Sequence, residues 1–547
     1  MRVRANTGDL SVHAIVGTHV ALFGMDMPKA AITDLIGFAI RRTNHDDRKS
    51  FYLTNALLFE ANDKGRKSNH SSRQNPFQEF LWGDYTLRPE HSYTYRVVAR
   101  YGSPGHLRDG DAVEFDVTTE SETDGAHAVF FNRGVAGSQR YAIRFKNKKP
   151  DDVGQPAFEW LSRGLAEGMT AFIRQADGPT KALRAAVYEF TYSPVVHEFA
   201  AAVGRGADVA IVYDCVDNKE DYPAADNTAT IAAEQLTARA TKLTNIKIAH
   251  NKFIVLLENG QPTAVWTGST NFTEGALYGQ SNVGHVVRDP SVAKRYLDFW
   301  AELHGDPARK DARAWDDQAT PTPAGPPPAG EVVSIFSPRR GLSALKWYAA
   351  RMDAATESVF LTAAFGVSKE LAAIFEEKNP YLRYLLLDKP NKVTTINRNP
   401  SNRVVAGGYL GRGGWRQWLE EALTDLNKHV RYVHTKYMLI DPLGAEPIVI
   451  SGSANFSEAS TTQNDENMLV IRGDTRVADI YLGEFMRLFT HFRFRGKTNT
   501  RETQPIPSSD TPGRPAGKKL YLRDSDDWAR RFYVKDSPRE KERLLFR

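Results

Sequence analysis

Two stretches of this chain carry the same polar residues in the same register. From residue 250 it reads His-Asn-Lys-Phe-Ile-Val-Leu-Leu-Glu and, from 268, Gly-Ser-Thr-Asn-Phe-Thr-Glu. From residue 434 it reads His-Thr-Lys-Tyr-Met-Leu-Ile-Asp and, from 452, Gly-Ser-Ala-Asn-Phe-Ser-Glu. His250 and His434, Lys252 and Lys436, Gly268 and Gly452, Asn271 and Asn455, and Glu274 and Glu458 are each 184 positions apart, so neither copy carries an insertion between its polar groups. An internal repeat of this kind sets the architecture before any single residue is interpreted.

Each copy reads as a β-hairpin. Phe253 to Leu257 and Tyr437 to Ile440 are short apolar runs, Asn259-Gly260 and Pro442 to Gly444 are turns, and Ala264 to Thr267 and Ile448 to Ser451 are the returning strands. Side chains alternate along a strand, so His250 and Lys252 share a face, as do His434 and Lys436. The Gly-Ser-x-Asn turn that closes each hairpin brings a hydroxyl and a carboxamide towards the same place. An imidazole, an ammonium, a hydroxyl and a carboxamide converging on one point form a receptor for a tetrahedral oxyanion.

The pattern His-x-Lys-x4-Asp followed by Gly-Ser-x-Asn resembles the phospholipase D superfamily, over residues 140 to 500 or so. The second copy matches in full, with Asp441 in the acidic position; the first has Leu257 there and Glu258 one step later. The resemblance implies two α/β lobes packed about a pseudo-two-fold axis, one shared site, and a metal-independent reaction through a covalent phosphohistidine. It implies catalytic roles for His250, Lys252, Asn271, His434, Lys436 and Asn455, with Asp441 supporting its motif from the far end of the strand. Ser269 and Ser453 are expected to shape the oxyanion site rather than attack. Eleven residues after Asn455 stands Glu466, and eleven after Asn271 stands Asn282. In the family this position supplies a partner for the histidine of the opposite lobe, so the resemblance implies that Glu466 holds His250 and Asn282 holds His434. A carboxylate stabilises the charge that a nucleophilic imidazole acquires, whereas a neutral amide only orients its ring. That difference assigns His250 as nucleophile and His434 as general acid and later general base. The alternative is that Glu466 and Asn282 merely cap strands.

The flanking sequence fits an α/β reading with an all-β sandwich in front of it. In the first lobe a helix is expected from Ala157 to Gln175, a strand from Leu183 to Phe190, a helix from Pro194 to Val203 and a strand from Asp208 to Tyr213. The second lobe repeats the order with a helix Leu342 to Ala355, a strand Ser358 to Thr362, a helix Lys369 to Lys378 and a strand Leu382 to Leu387. Both lobes then end a strand on an acid, Asp214 and Asp388, and ligands of open α/β sheets bind at such strand ends. The expected boundaries are a β module over residues 1–122, lobes over 140–318 and 331–500, a Pro-rich linker over 319–330 and a charged tail over 501–547. In the module, strands are expected at His13 to Leu22, Ile36 to Arg42, Phe51 to Phe59, Tyr93 to Arg100 and Ala112 to Thr118. Thr86 to Val97 is similar to the fibronectin type III pattern in which a Leu-x-Pro turn precedes a corner tyrosine. Such a module is expected to dock a protein partner that the sequence does not identify. The run Phe130-Phe131-Asn132-Arg133-Gly134 has no purpose legible at this level.

Composition narrows the rest. A formal net charge of +5 leans towards a polyanionic partner. The single cysteine, Cys215, excludes an intrachain disulfide framework and fits a reducing compartment. With no signal-peptide core and no membrane-length apolar run, a cytoplasmic location is expected. No His or carboxylate cluster has metal-ligand spacing, so no metal and no other cofactor is expected. From Lys389 to Trp418 the chain carries Lys389, Lys392, Arg398, Arg403, Arg412 and Arg416 without an Asp or Glu, interleaved with Tyr409, Trp415 and Trp418. Cations with aromatic planes suit a nucleic-acid strand, which makes Arg398, Arg403, Arg412, Trp415 and Arg416 candidate substrate contacts and the enzyme a nuclease-like phosphodiesterase. Two alternatives stay open: a phospholipase D whose Gly-rich loop 407–415 inserts among lipid headgroups, and an inactive protein that grips phosphate or nucleic acid without turnover.

Overall fold

The computed structural model describes residues 1–63, 70–134, 138–146, 148–216, 223–389, 396, 399–407, 432–503 and 521–547. Two seven-stranded sheets within it share one design. The first runs, edge to edge, through Ala240–Leu243, Asp208–Asp214, Lys181–Val187, Lys252–Glu258, Gln261–Gly268, Val283–Val287 and His127–Phe131. The second runs through Asn402–Ala406, Leu382–Leu387, Ser358–Ala363, Tyr437–Ile440, Ile448–Gly452, Glu466–Arg472 and Val332–Ser337. In each, the first three strands are parallel and the remaining neighbours antiparallel. The motif hairpin is therefore the fourth and fifth strand of both sheets, which buries it centrally and explains its unbroken apolar character.

The local elements differ from the sequence expectations in instructive ways. The helix expected from Ala157 to Gln175 is two helices, Gln155–Ser162 and Leu165–Arg174. Arg163 and Gly164 between them are left-handed (φ 48° and 95°), and the chain turns there. The first sheet also starts earlier than residue 140, because His127–Phe131 pairs with Val283–Val287. All five of its residues are buried, and Phe130 stacks on Trp266 with ring centroids 5.7 Å apart.

Ahead of the lobes lie two four-stranded sheets: Arg2–Thr7, Leu10–Val16, Ala21–Asp26 and Leu81–Asp84 form one, and Ser50–Tyr52, Leu35–Asn44, Ser92–Ser103 and His106–Thr118 the other. The strand expected from His13 to Leu22 is a hairpin instead, closed where Gly17 N donates to Val20 O at 2.9 Å. The strand expected from Phe51 to Phe59 is only Ser50–Tyr52. The Tyr93 hydroxyl accepts a 3.1 Å bond from Arg88 N, so this tyrosine ties its strand to the turn that precedes it.

Two elements join the three units. The 29-residue helix Thr475–Thr503, about 43 Å long at 1.5 Å per residue, shares one hydrophobic core with both lobes and with Ile15, Val20 and Leu22 of the sandwich. Gly17 and Gly483 sit where the hairpin turn and this helix touch; a Cβ on either would stand 3.1 Å from Ile480 or Val20. Within the same junction Glu484 holds Arg163 at 2.6 Å and Arg487 at 2.7 Å, and these cations outweigh its burial and draw its carboxyl down to about 2.

The charged tail, unread in the sequence, returns to the sandwich. Trp528 is fully buried and its indole N–H donates to Leu35 O at 2.8 Å, the Tyr533 hydroxyl donates to Met27 O at 2.7 Å, and Arg543 pairs with Asp26. The same segment reaches the second lobe through Tyr384, whose hydroxyl donates to Glu542 at 2.9 Å. Removing a buried indole leaves a cavity as well as a lost hydrogen bond. Trp528→Ala should therefore cost about 3–5 kcal/mol in urea-induced unfolding of the sandwich; a tail that contributes nothing to the fold predicts no change.

Candidate active site

The two motif hairpins meet through a symmetric backbone clamp. His250 N donates to Asp465 O at 3.0 Å and Asp465 N to Ile248 O at 3.0 Å; His434 N donates to Ser281 O at 3.2 Å and Ser281 N to Tyr432 O at 2.9 Å. Each member of one set lies 184 positions from its counterpart in the other, so the internal repeat is also the pseudo-two-fold symmetry of the interface. The acids at the ends of the second strand from the edge of each sheet, Asp214 and Asp388, stabilise this clamp from behind. Asp214 accepts from Ala249 N at 2.7 Å, while Asp388 accepts from Tyr432 N and Val433 N at 2.9 Å each. Both therefore fix the backbone immediately before a histidine. Burial, partly offset by those N–H groups, pushes the Asp214 carboxyl up to about 7.

The clamp hands each ring to the opposite lobe. His250 Nδ1 donates to Glu466 Oε2 at 2.8 Å, and His434 Nδ1 donates to Asn282 Oδ1 at 2.9 Å. The tautomers follow from the partners. An ionised carboxylate only accepts, and Asn282 is oriented by its own amide, which donates to Ala276 O at 2.9 Å. Each Nδ1 therefore carries the hydrogen and each Nε2 keeps its lone pair. The motif serines brace the two partners: Ser269 donates to Asn282 Oδ1 at 2.8 Å and Ser453 to Glu466 Oε2 at 2.6 Å.

Lys252 Nζ donates to His250 O at 2.7 Å and Lys436 Nζ to His434 O at 2.8 Å, which holds both ammonium groups beside the rings. All four groups are buried. Burial, only partly opposed by Glu466, draws His250 down to about 4; burial together with Lys436, Lys252 and His250 takes His434 well below its ordinary range. Lys252 falls to about 8 through burial, and Lys436 falls further because Lys252 adds repulsion. Burial raises Glu466, but His250 and Lys252 outweigh it and keep the carboxylate ionised. Two lysines, two neutral rings and the Glu466 carboxylate are buried together, and an incoming anion favours the charged form of both lysines.

The two asparagines differ. Asn271 Nδ2 donates to Glu189, a residue the sequence reading did not single out. Asn455 has no such carboxylate against it among the described residues. The carboxamide oxygens of both are buried without a hydrogen-bond partner among the described residues. The outer ends of the hairpins differ as well. Asp441 accepts from the N–H groups of Thr356, Glu357 and Ser358 at 2.7–2.9 Å, fastening the start of the neighbouring strand. At the matching place in the first lobe Leu257 is buried, and Glu258 pairs with Lys181 at 2.8 Å.

Of the proposed substrate contacts, Arg398, Arg412, Trp415 and Arg416 lie outside the described residues, as do Lys392, Tyr409 and Trp418. Arg403 is half-buried in the edge strand opposite Tyr384, and the structure does not bring it to the histidines. Asn132, from the unexplained run 130–134, proves to be part of the support. Its amide donates to Ala276, Leu277 and Gln280 carbonyls, and its Oδ1 accepts from Asn282 N at 2.9 Å. It thus fixes the residue that holds His434. Glu189 had one visible signal, a lone carboxylate at the end of an apolar strand that leads into the site.

Residues 169–303 and 351–489, together half of the chain, match the family model described as cardiolipin synthase, PLD-like domain. No curated protein matches the sequence. Among solved structures the chain is similar to a polyphosphate kinase from Porphyromonas gingivalis, at 13% identity over 55% of this chain and 45% of that one, with a TM-score of 0.37. It is similar to Nuc, a phospholipase D family member from Salmonella typhimurium, at 26% identity over 26% of this chain and 87% of that one, with a TM-score of 0.22. It is also similar to a phosphatidylserine synthase from Haemophilus influenzae, at 11% identity over 61% of this chain and 84% of that one, with a TM-score of 0.42. The chain thus spans less than half the length of the polyphosphate kinase. Among the described residues no helix is long and apolar enough to cross a membrane, and no group of three or more His, Cys, Asp or Glu is placed to hold a metal ion.

The buried rings make stability pH-dependent. An unfolded histidine takes up its proton near 6.5, whereas folded His250 refuses it until about 4. Between these values the unfolded chain binds more protons, so stability is lost as pH falls through that window. For His250 alone the loss approaches about 3 kcal/mol. His250→Asn should flatten the fall in urea-unfolding stability between pH 6.5 and 4; an unchanged slope would show that the ring is not buried neutral.

Proposed function

Because this chain belongs to the PLD-like domain family, we propose that it is a phosphodiesterase working through a phosphohistidine on His250. The observation that carries this reading is the pair of cross-lobe bonds that engage each Nδ1 and so leave both Nε2 atoms for chemistry. Lys252, Lys436, Asn271 and Asn455 bind the non-bridging oxygens and stabilise the charge that develops there. Binding a phosphate anion raises the proton affinity of the rings, and one Nε2 takes up a proton. His250 Nε2 attacks phosphorus, the bond to the leaving oxygen breaks, and the proton on His434 Nε2 passes to that oxygen. Water then attacks the phosphohistidine as His434 takes the water proton, and the phosphorus–nitrogen bond breaks.

The unequal partners support this division of roles. A nucleophile stays cationic for the life of the covalent intermediate, which suits the ring beside the Glu466 carboxylate. A general acid is cationic only until it gives up its proton, and His434, which holds a proton weakly, gives it up readily. His250→Asn should abolish the intermediate. His434→Asn should slow its formation with ordinary leaving groups and trap it by blocking hydrolysis. A substrate with a good leaving group, such as a p-nitrophenyl phosphodiester, should restore formation in the His434 variant alone; equal rescue in both would reverse or remove the assignment.

The substrate reading is a nucleic-acid backbone, with a phospholipid headgroup as the alternative. Its support is the basic, aromatic stretch from Lys389 to Trp418. A second feature agrees with it: Phe365, just past the strand Ser358–Ala363 at the site end of the second sheet, is 61% exposed and offers a ring face to a base. Neutralised phosphates release counterions, so nucleic-acid affinity should fall steeply with salt. Arg412→Gln with Arg416→Gln should flatten that slope while leaving cleavage of a small phosphodiester nearly unchanged. If affinity is independent of salt and of these residues, while cleavage of phospholipid vesicles proceeds, the lipid reading replaces this one.

A further inference from the structure

Repeat symmetry breaks a second time beside the two lysines. In the first sheet Val187 pairs with Lys252, so the two residues that continue the strand Lys181–Val187 past the lysine are Tyr188 and Glu189. In the second, Leu361 pairs with Met438, and the same register puts Ala364 and Phe365 past Lys436. Where one lobe presents a carboxylate, the other presents an exposed phenyl ring.

Glu189 is held in place by the motif itself. Its backbone carbonyl accepts from Phe272 N at 3.0 Å, Phe190 bridges to Phe272, and its carboxylate accepts from the Asn271 amide. It is half-buried, and its negative charge raises the proton affinity of Lys252 and of Lys436 alike, which places it within electrostatic reach of both. The acid completes none of the steps above: it touches neither histidine, and it occupies an amide that would otherwise be wholly available to a phosphate oxygen. A fixed carboxylate beside an anion receptor opposes anion binding, and the opposition grows with the charge of the anion.

We infer that Glu189 is a specificity-determining residue, a charge filter that admits monoanionic phosphodiesters and rejects dianionic phosphomonoesters. The inference rests on the reading of the cavity as a phosphodiester receptor. Repulsion from one fixed charge is twice as large for a dianion as for a monoanion at the same position. A hydrolysed product that ends in a terminal phosphate is dianionic at neutral pH, so the same charge speeds its departure. Phe365, in the equivalent place on the other lobe, contributes no charge and leaves that side to the uncharged part of a substrate.

The test is a binding ratio, read without turnover. Phenyl phosphate and diphenyl phosphate are titrated calorimetrically into the full chain and into Glu189→Gln, each carrying His250→Asn to block turnover of the diester, at pH 8 and at pH 5. A phosphomonoester loses its second proton near about pH 6, so phenyl phosphate is a dianion in the first condition and a monoanion in the second. At pH 8 the Gln variant should bind phenyl phosphate more tightly relative to diphenyl phosphate by roughly tenfold or more; at pH 5 the ratio should match that of the chain keeping Glu189. Glutamine keeps an acceptor for Asn271, and Glu189→Ser removes the charge with a smaller side chain should the first variant unfold. A ratio unmoved at pH 8 in a folded variant overturns the inference, and so does a shift of equal size at pH 5, which would mean that Glu189 acts by shape. Hydrolysis of bis(p-nitrophenyl) phosphate is followed in parallel with His250 in place. A chain that shows the charge-dependent ratio without hydrolysis refutes the phosphodiesterase reading alone, and one that hydrolyses the diester with an unmoved ratio refutes the filter alone.

Discussion

A buried imidazole can present a free Nε2 to a substrate only if something fixes its Nδ1, and here that partner always belongs to the other lobe. Glu466 orients His250 and Asn282 orients His434, with the adjoining peptides clamped in the same crossed sense. Neither lobe alone holds its own histidine. The remaining architecture follows from that dependence. A shared core, a helix that touches all three units and a tail that bridges sandwich and second lobe all resist relative movement of the halves, and a small shift between them would break both ring contacts together.

Symmetry supplies the frame, and departures from it supply direction. Two identical halves would place two equivalent rings in one site. The pairing of one ring with a carboxylate and the other with an amide makes the rings chemically unlike, although both are buried and both lie below their ordinary range. Glu189 and Phe365 extend that inequality from the rings to the walls. Other departures are confined to structure: Asp441 caps a strand by accepting backbone N–H groups, while the first lobe ends its hairpin on Leu257 and the Glu258–Lys181 pair. The absence of the motif aspartate from the first copy leaves its histidine and lysine where the second copy has them.

Support for the ring pair comes from groups that bond to its partners and to its backbone. Asn132 satisfies the carbonyls of an irregular turn and orients Asn282; Ser269 and Ser453 brace the ring partners; Asp214 and Asp388 secure the peptides before the histidines. Each is buried, and each spends its hydrogen bonds on fixing geometry, which is what a preorganised site requires in a dry cavity.

The sequence alone was enough for the features carried by strand alternation and motif spacing. Strand alternation put His and Lys on one face, fixed spacing showed that both copies were intact, and apolar runs marked the central strands of both sheets. It fell short where a single residue changed the chain direction, as at Arg163 and Gly164, or where a short strand was completed by distant partners, as at His127–Phe131. Hydrophobic pattern reports burial and not which element does the burying, so the return of Trp528 to the sandwich was invisible beyond a run of charges. The resemblance of the motifs implied which residue should hold each ring. Only the tertiary structure decided the tautomers, because they depend on the oriented amide of Asn282, and only it revealed the purpose of Asn132 and the position of Glu189. Those are contacts between residues up to 216 positions apart, and spacing along a chain carries no information about distances that are set by packing.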